Sequence, residues 1–134
     1  MTSFVDTLDI LSLMKGSHFH KHWQTEDIYN YILTPMGLNQ YLLLRDSKGD
    51  PISFCTWACP TDLEVEFYQK MQRFPINGFK SQGKNVWIID FVSKKGYTLK
   101  GVRFVWNYFN QKNVYDIRWV RLEKLKIGWI KSKG

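Results

Sequence analysis

Cysteine, histidine and proline are scarce in this chain of 134 residues, and acidic side chains nearly vanish from its second half. The only cysteines are Cys55 and Cys59. Two thiols exclude a disulfide-built scaffold and a four-ligand zinc framework. They are expected as small buried side chains on or beside one apolar strand, in a reducing compartment. No apolar run approaches the ~18 residues of a spanning helix, and no charged-then-apolar signal segment opens the chain. A soluble, cytoplasmic protein without stable membrane insertion is expected. No repeat, low-complexity tract or Pro/Ser-rich linker interrupts the sequence, so one domain is expected over residues 1–134.

The chain is 44% apolar and 16% aromatic, with six tryptophans, which excludes disordered and fibrous classes. Its net charge of +7 is unevenly placed. Residues 1–66 carry 4 basic and 9 acidic side chains, a net of −5; residues 67–134 carry 15 and 3, a net of +12. That asymmetry points to an anionic partner for surface built by the second half.

Phe4, Leu8, Leu11 and Met14, with Val5 beside them, predict an amphipathic first helix that Gly16 stops. A second helix is predicted from Thr25, with Glu26 and Asp27 in its first turn and Ile28, Tyr31 and Ile32 as its buried stripe. Pro35 and Gly37 should break or kink it. Tyr41–Arg45 and Ile52–Trp57, joined by turn formers, read as a hairpin. Thr61 to Glu64 has capping-box form, with Leu63, Phe67, Tyr68, Met71 and Phe74 as the stripe of a helix that Pro75 ends. Val86–Val92 reads as a central strand, followed by a helix from about Leu99 to Phe109 and by strands at Tyr115–Val120 and Ile127–Ile130. The expected class is α/β (α+β), a mixed sheet of about five strands flanked by helices.

Three features could carry chemistry. His18, His20 and His22 alternate between Ser17 and Trp23, between two helices. Metal binding, a solvated linker and acid–base catalysis all use such histidines, but no cysteine or acid cluster accompanies these three. Asp90 interrupts the apolar run Val86–Val92. A carboxylate there must be paired or hydrogen-bonded, either capping a loop or serving an imidazole that the fold brings to it. Finally, Lys94, Lys95, Gly96, Lys100 and Gly101 mark a strand–loop–helix unit whose free backbone N–H groups suit a phosphopantetheine or pyrophosphate.

The blocks Ser17–Trp23, Asn39–Leu44, Ser53–Ala58, Trp87–Phe91 and Tyr115–Arg118 occur in the order and spacing of a known family. Over roughly residues 8–122 the chain resembles the RTX toxin-activating lysine acyltransferases of the haemolysin-activating type. The resemblance implies a GNAT-like fold and a cytoplasmic enzyme that moves a fatty acyl group from acyl-acyl-carrier protein to internal lysines of an inactive protoxin. It ranks His20, three residues after Ser17 and three before Trp23, above His18 and His22, and it matches Asp90 to the family's functional aspartate. It also implies a dimer. The chain departs from the family at His22, where asparagine is usual, and in the loop after Asp90, which keeps Gly96 but lacks the proline-aromatic-glycine turn. It ends soon after its last predicted strand, so a long C-terminal tail is not expected, and the acceptor expected is a secreted toxin or a smaller, bacteriocin-like precursor.

On that reading His20 is the general base that frees a lysine amine, and Asp90 orients the ring or stabilises the imidazolium. Ser17 either hydrogen-bonds the thioester region or caps a turn. Lys94, Lys95, Gly96, Lys100 and Arg103 contact the phosphopantetheine or the acidic carrier, which is a co-substrate; no bound cofactor or metal is expected. The alternative is a non-catalytic GNAT-like module that binds an acidic protein or nucleic acid through the basic half and Trp106, Tyr108, Phe109 and Trp119. No RRM, KH or zinc-knuckle signature is visible, so nucleic acid is not the expected partner.

Overall fold

Asp46 accepts backbone N–H bonds from Lys48 and Asp50, both at 2.9 Å, and Gly49 takes φ +89°, which closes a tight reversal. That turn sets β1 (Tyr41–Arg45) antiparallel to β2 (Pro51–Ala58), with Leu43 opposite Phe54. The computed structural model describes residues 4–17, 20–121 and 126–131, with side chains through Trp119. Its sheet has the order β1-β2-β3-β4-β5, where β3 is Val86–Ser93, β4 Asp116–Arg121 and β5 Lys126–Lys131. Only β3 and β4 run parallel, and α5 (Thr98–Asn110) makes the crossover between them. The mixed sheet flanked by helices is the class expected.

Helices cover both faces. On one, α1 (Phe4–Lys15) and the helical segments after it bury Ile10, Leu13, Met14, Ile32 and Met36 against Phe54 and Val92. On the other, Val105 and Phe109 of α5 pack on Leu42, Cys55, Val86 and Ile117. A third cluster joins Tyr68 of α4 (Asp62–Met71) to Phe74, Phe79 and Ala58. No helix among the described residues is long and apolar enough to cross a membrane.

Several local expectations change. The first helix is apolar on more than one side, and its buried face is Ile10, Leu13 and Met14, whereas Phe4, Val5 and Leu8 are exposed. Arg45 selects that face: its guanidinium donates to Asp6 and Asp9, each at 2.6 Å, and Tyr41 donates to Asp6 at 2.9 Å. Pro35 does not end the second helical stretch. α2 (Thr25–Ile28) passes into a π-turn (Tyr29–Leu33) and then α3 (Thr34–Gly37), the wider turn accommodating the proline's missing N–H. The capping box forms as expected, Thr61 and Glu64 bonding each other's backbone N–H. However, α4 stops at Gln72, which adopts φ +58°, before Pro75 is reached. The helix is turned so that Tyr68 is buried and Leu63, Phe67 and Met71 lie exposed.

Gly101 fixes how closely α5 approaches the sheet. A Cβ there would lie 2.2 Å from Ser53 Oγ and 2.9 Å from the Phe91 ring. On helix propensity alone Gly101→Ala would gain about 1 kcal/mol, but forcing the helix off the sheet costs about 1–3 kcal/mol. The net expectation is a loss of up to about 2 kcal/mol, a Tm lowered by up to roughly 8 °C in a thermal melt; a raised Tm would show that the contact yields freely.

Candidate active site

The chain leaves α1 through a tight turn in which the backbone N–H groups of His20 and Lys21 both donate to the Ser17 carbonyl, at 3.2 and 3.1 Å. Three residues apart on such a turn, the Ser17 hydroxyl and the His20 ring meet, Oγ lying 2.7 Å from Nδ1. Nε2 on the opposite edge of the ring is bonded to Asp90 Oδ1. With the carboxylate ionised, Nε2–H donates to it and Nδ1 accepts from Ser17. Trp23 stacks edge-on against the imidazole, ring centres 4.6 Å apart, and His20 is only 6% exposed. The structure thus brings Ser17, His20 and Asp90 into one contiguous array, while His22 is exposed and His18 lies outside the described residues.

Asp90 reaches His20 because β3 is bulged. Thr56 opposes Asp90 but Trp57 opposes Ile88, so Ile89 is an extra residue with no partner on β2. Val86 and Ile88 pack on the α5 side. Strict alternation would put Asp90 there too. The extra residue inverts the phase: Phe91 points to α5, and Asp90 and Val92 to the α1 side. Burial raises the Asp90 pKa above the usual carboxylate range, and the His20 hydrogen bond and charge partly oppose that shift. Asp90 Oδ2 has no hydrogen-bond partner among the described residues.

Two hollows meet at the bulge, sharing Ile89 and Asp90 as a common wall. Parallel pairing of β3 with β4 stops at Ile88–Trp119, and beyond it a cavity of about 340 Å³ opens under α5. Val102, Val105, Trp106, Ile117 and Trp119 line it, and among the described residues Asp90 is its only charged wall residue. The second hollow, about 310 Å³, is walled by Trp23, Tyr31 and Tyr68, with Asp27 and Arg73 also on its lining. Sequence reasoning missed this aromatic hollow by counting Tyr31 and Tyr68 as ordinary stripe residues. The available signal was that each is tyrosine rather than phenylalanine, with a hydroxyl needing a partner.

The basic candidates lie apart from the array. Lys94, Lys95, Lys100 and Arg103 are exposed, and Gly96 takes φ +89° in the turn before α5. Lys94 and Lys95 border a polar groove with Asp9, Asp50 and Gly16, rather than either hollow at Asp90. Thr98, in the first turn of α5, does line the apolar cavity. Cys55 is fully buried and its thiol is pushed up to about 12 by burial, which leaves it inert as a nucleophile. Among the described residues no three His, Cys, Asp or Glu side chains converge on a metal position.

The sequence profile of the RTX toxin acyltransferase family (HlyC) matches residues 7–128. The RTX-II toxin-activating lysine-acyltransferase ApxIIC of Actinobacillus pleuropneumoniae is 27% identical over 106 residues, covering 78% of this chain and 62% of that protein. The leukotoxin-activating lysine-acyltransferase LktC of Mannheimia haemolytica serotype A1 is 31% identical over 91 residues, covering 67% and 53%. The protein-lysine palmitoyltransferase CyaC of Bordetella bronchiseptica is 29% identical over 86 residues, covering 63% and 45%. The chain therefore spans about half the length of the curated relatives it matches. Since the profile runs through Ser17, His20, the β3 bulge and Asp90, the chain belongs to the RTX toxin acyltransferase family.

Proposed function

We propose that this protein is a protein-lysine acyltransferase. It would move a fatty acyl group from acyl-acyl-carrier protein to an internal lysine of a secreted toxin or bacteriocin-like precursor. The observation that carries the reading is the buried Ser17–His20–Asp90 array beside an apolar cavity whose one charged wall residue, among the described residues, is Asp90. The names of the relatives, lysine acyltransferases that activate toxins, agree with it.

A thioester is already activated, so the barrier lies in the acceptor, an ammonium at neutral pH. The His20–Asp90 pair acts as one proton acceptor, Asp90 facing the hollows and His20 hydrogen-bonded behind it. The freed amine attacks the thioester carbon, forming the C–N bond. The C–S bond then breaks, and the second proton lost from nitrogen goes to the departing thiolate. The apolar cavity shields the acyl chain from water. Ser17 holds the imidazole through Nδ1.

His20→Gln and Asp90→Asn are each expected to lower kcat by about 10²–10⁴-fold, with acyl-carrier binding retained. Because native Asp90 keeps its proton to a higher pH than an unfolded aspartate does, ionising it costs stability as pH rises from about 4. Asp90→Asn should flatten that fall in a pH series of melts. An unfolded Asp90→Asn protein with no separable kinetic loss would make the pair purely structural.

Ser17→Ala is expected to reduce turnover by about tenfold, the effect of losing one orienting hydrogen bond of about 1.5 kcal/mol. Loss equal to that of His20→Gln, together with an acyl adduct on Ser17 by mass spectrometry, would replace direct transfer by an acyl-enzyme.

Lys94, Lys95, Lys100 and Arg103 supply exposed positive charge around the start of α5, which supports docking of an acidic carrier there. Charge reversal at Lys95 and Lys100 together should raise the carrier KM by about tenfold or more at low salt, and added salt should raise the wild-type KM. A carrier KM indifferent to salt would argue against electrostatic docking.

A further inference from the structure

The hollow on the α4 side of Asp90 has a composition unlike its neighbour. Tyr68 is 3% exposed and lines it, and its hydroxyl has no hydrogen-bond partner among the described residues. Burial and then the charge of Asp90 hold that phenol neutral to well above its ordinary range, so it can accept as well as donate a hydrogen bond. The Trp23 and Tyr31 rings, centres 5.9 Å apart, form an aromatic corner, and Tyr31 is pinned by its own donation to the Phe74 carbonyl at 3.1 Å. Two carboxylates, Asp27 and Asp90, lie on the lining.

Aromatic faces, a phenol oxygen at the wall and two acids select a cation with an apolar stem. An anionic ligand such as a phosphate would meet both acids. A fatty chain would strand the phenol. Arg73 is the one cation on the lining among the described residues, and it is exposed.

We infer that the hollow walled by Trp23, Tyr31 and Tyr68 is the entry of the acceptor lysine, with Asp27 attracting the ammonium and Tyr68 steering it to Asp90. This deepens the acyltransferase reading and rests on it. The acyl group and the acceptor then approach from opposite sides of the Ile89–Asp90 bulge, which separates the two hollows. Asp27 and Tyr68 are positioning and specificity residues rather than members of the proton-accepting pair.

The test uses N-acetyl-lysine methylamide as the probe, titrated into the full chain at low salt and followed by tryptophan fluorescence. Asp27→Asn keeps an oxygen for the Gln24 N–H that Asp27 accepts at 2.9 Å, so the start of α2 is preserved. Asp27→Asn and Tyr68→Phe should each weaken binding about three- to fivefold, and Arg73→Glu should strengthen it by a similar factor. The norleucine analogue, which lacks the ammonium, should bind at least about tenfold more weakly. Equal binding of the two amides, a Kd unmoved by all three substitutions, or no saturable binding to the wild type overturns the assignment. So does an Arg73→Glu protein whose only change is a raised KM for the acyl carrier.

Acyl transfer from acyl-carrier protein to the same amide, assayed in parallel, reports separately on the enzymatic reading. Binding that shifts as expected without any transfer keeps the cation site and removes the enzyme. Transfer with an amide KM insensitive to Asp27, Tyr68 and Arg73 keeps the enzyme and removes the lysine entry.

Discussion

A carboxylate buried in an apolar strand has to be met by a donor, and much of the local architecture serves that need. Asp90 is covered by β2 on one side and by the segment after α1 on the other. Among the described residues, the only hydrogen bond of its carboxylate is to His20. The bulge at Ile89 turns the carboxylate to the α1 side, the Ser17–His20 turn carries the imidazole to it, and Trp23 closes over the ring. Removing any one of these leaves either a buried acid without a partner or a buried imidazole facing apolar side chains.

The bulge has a second consequence. Beyond Ile88 the β3 backbone no longer pairs with β4, so the strands separate where Asp90 sits. A regular parallel pair would have filled that gap with ladder hydrogen bonds and left no cavity beneath α5. Gly101 complements the opening: by letting α5 lie close against Ser53 and Phe91, it keeps the helix as the roof of the cavity. The apolar hollow and the buried acid are therefore products of one irregularity in one strand.

Much of the framework was legible in residue patterns because it depends on local chemistry. The Asp46–Asp50 turn, the Thr61–Glu64 capping box, the five strands and the α5 helix all follow from signals within a few residues. What was illegible depends on competition between faces. In α1 both Leu8 and Ile10 sit on apolar stripes, and only the pull of Arg45 on Asp6 and Asp9, made across 36–39 residues, decides which is buried. The bulge cannot be read from Val86–Val92, whose apolar residues are continuous and carry no period. Without it Asp90 falls on the wrong face for His20. Ranking His20 above its two neighbours came from family resemblance, because three histidines at alternate positions are equivalent by composition. Tyr68 was recognised as a core residue, but its place on the wall of a hollow beside Asp90 emerges only when the surrounding elements are in place.

The uneven charge of the sequence also takes on a spatial sense in the proposed reaction. The strand that carries Asp90 lies between helices of opposite character: α5 and its preceding turn present Lys94, Lys95, Lys100 and Arg103, while α2 and α4 begin with Glu26, Asp27, Asp62 and Glu64. An acidic carrier and a lysine-bearing acceptor are drawn to different ends of such a field and repelled from each other's. Each hollow repeats the distinction at close range, the one under α5 offering hydrocarbon and the one beside α4 offering rings and carboxylates. If both substrates competed for one entrance, bound carrier would exclude the acceptor. Separate entrances that share only the Ile89–Asp90 wall let the amine and the thioester meet with the proton acceptor already between them.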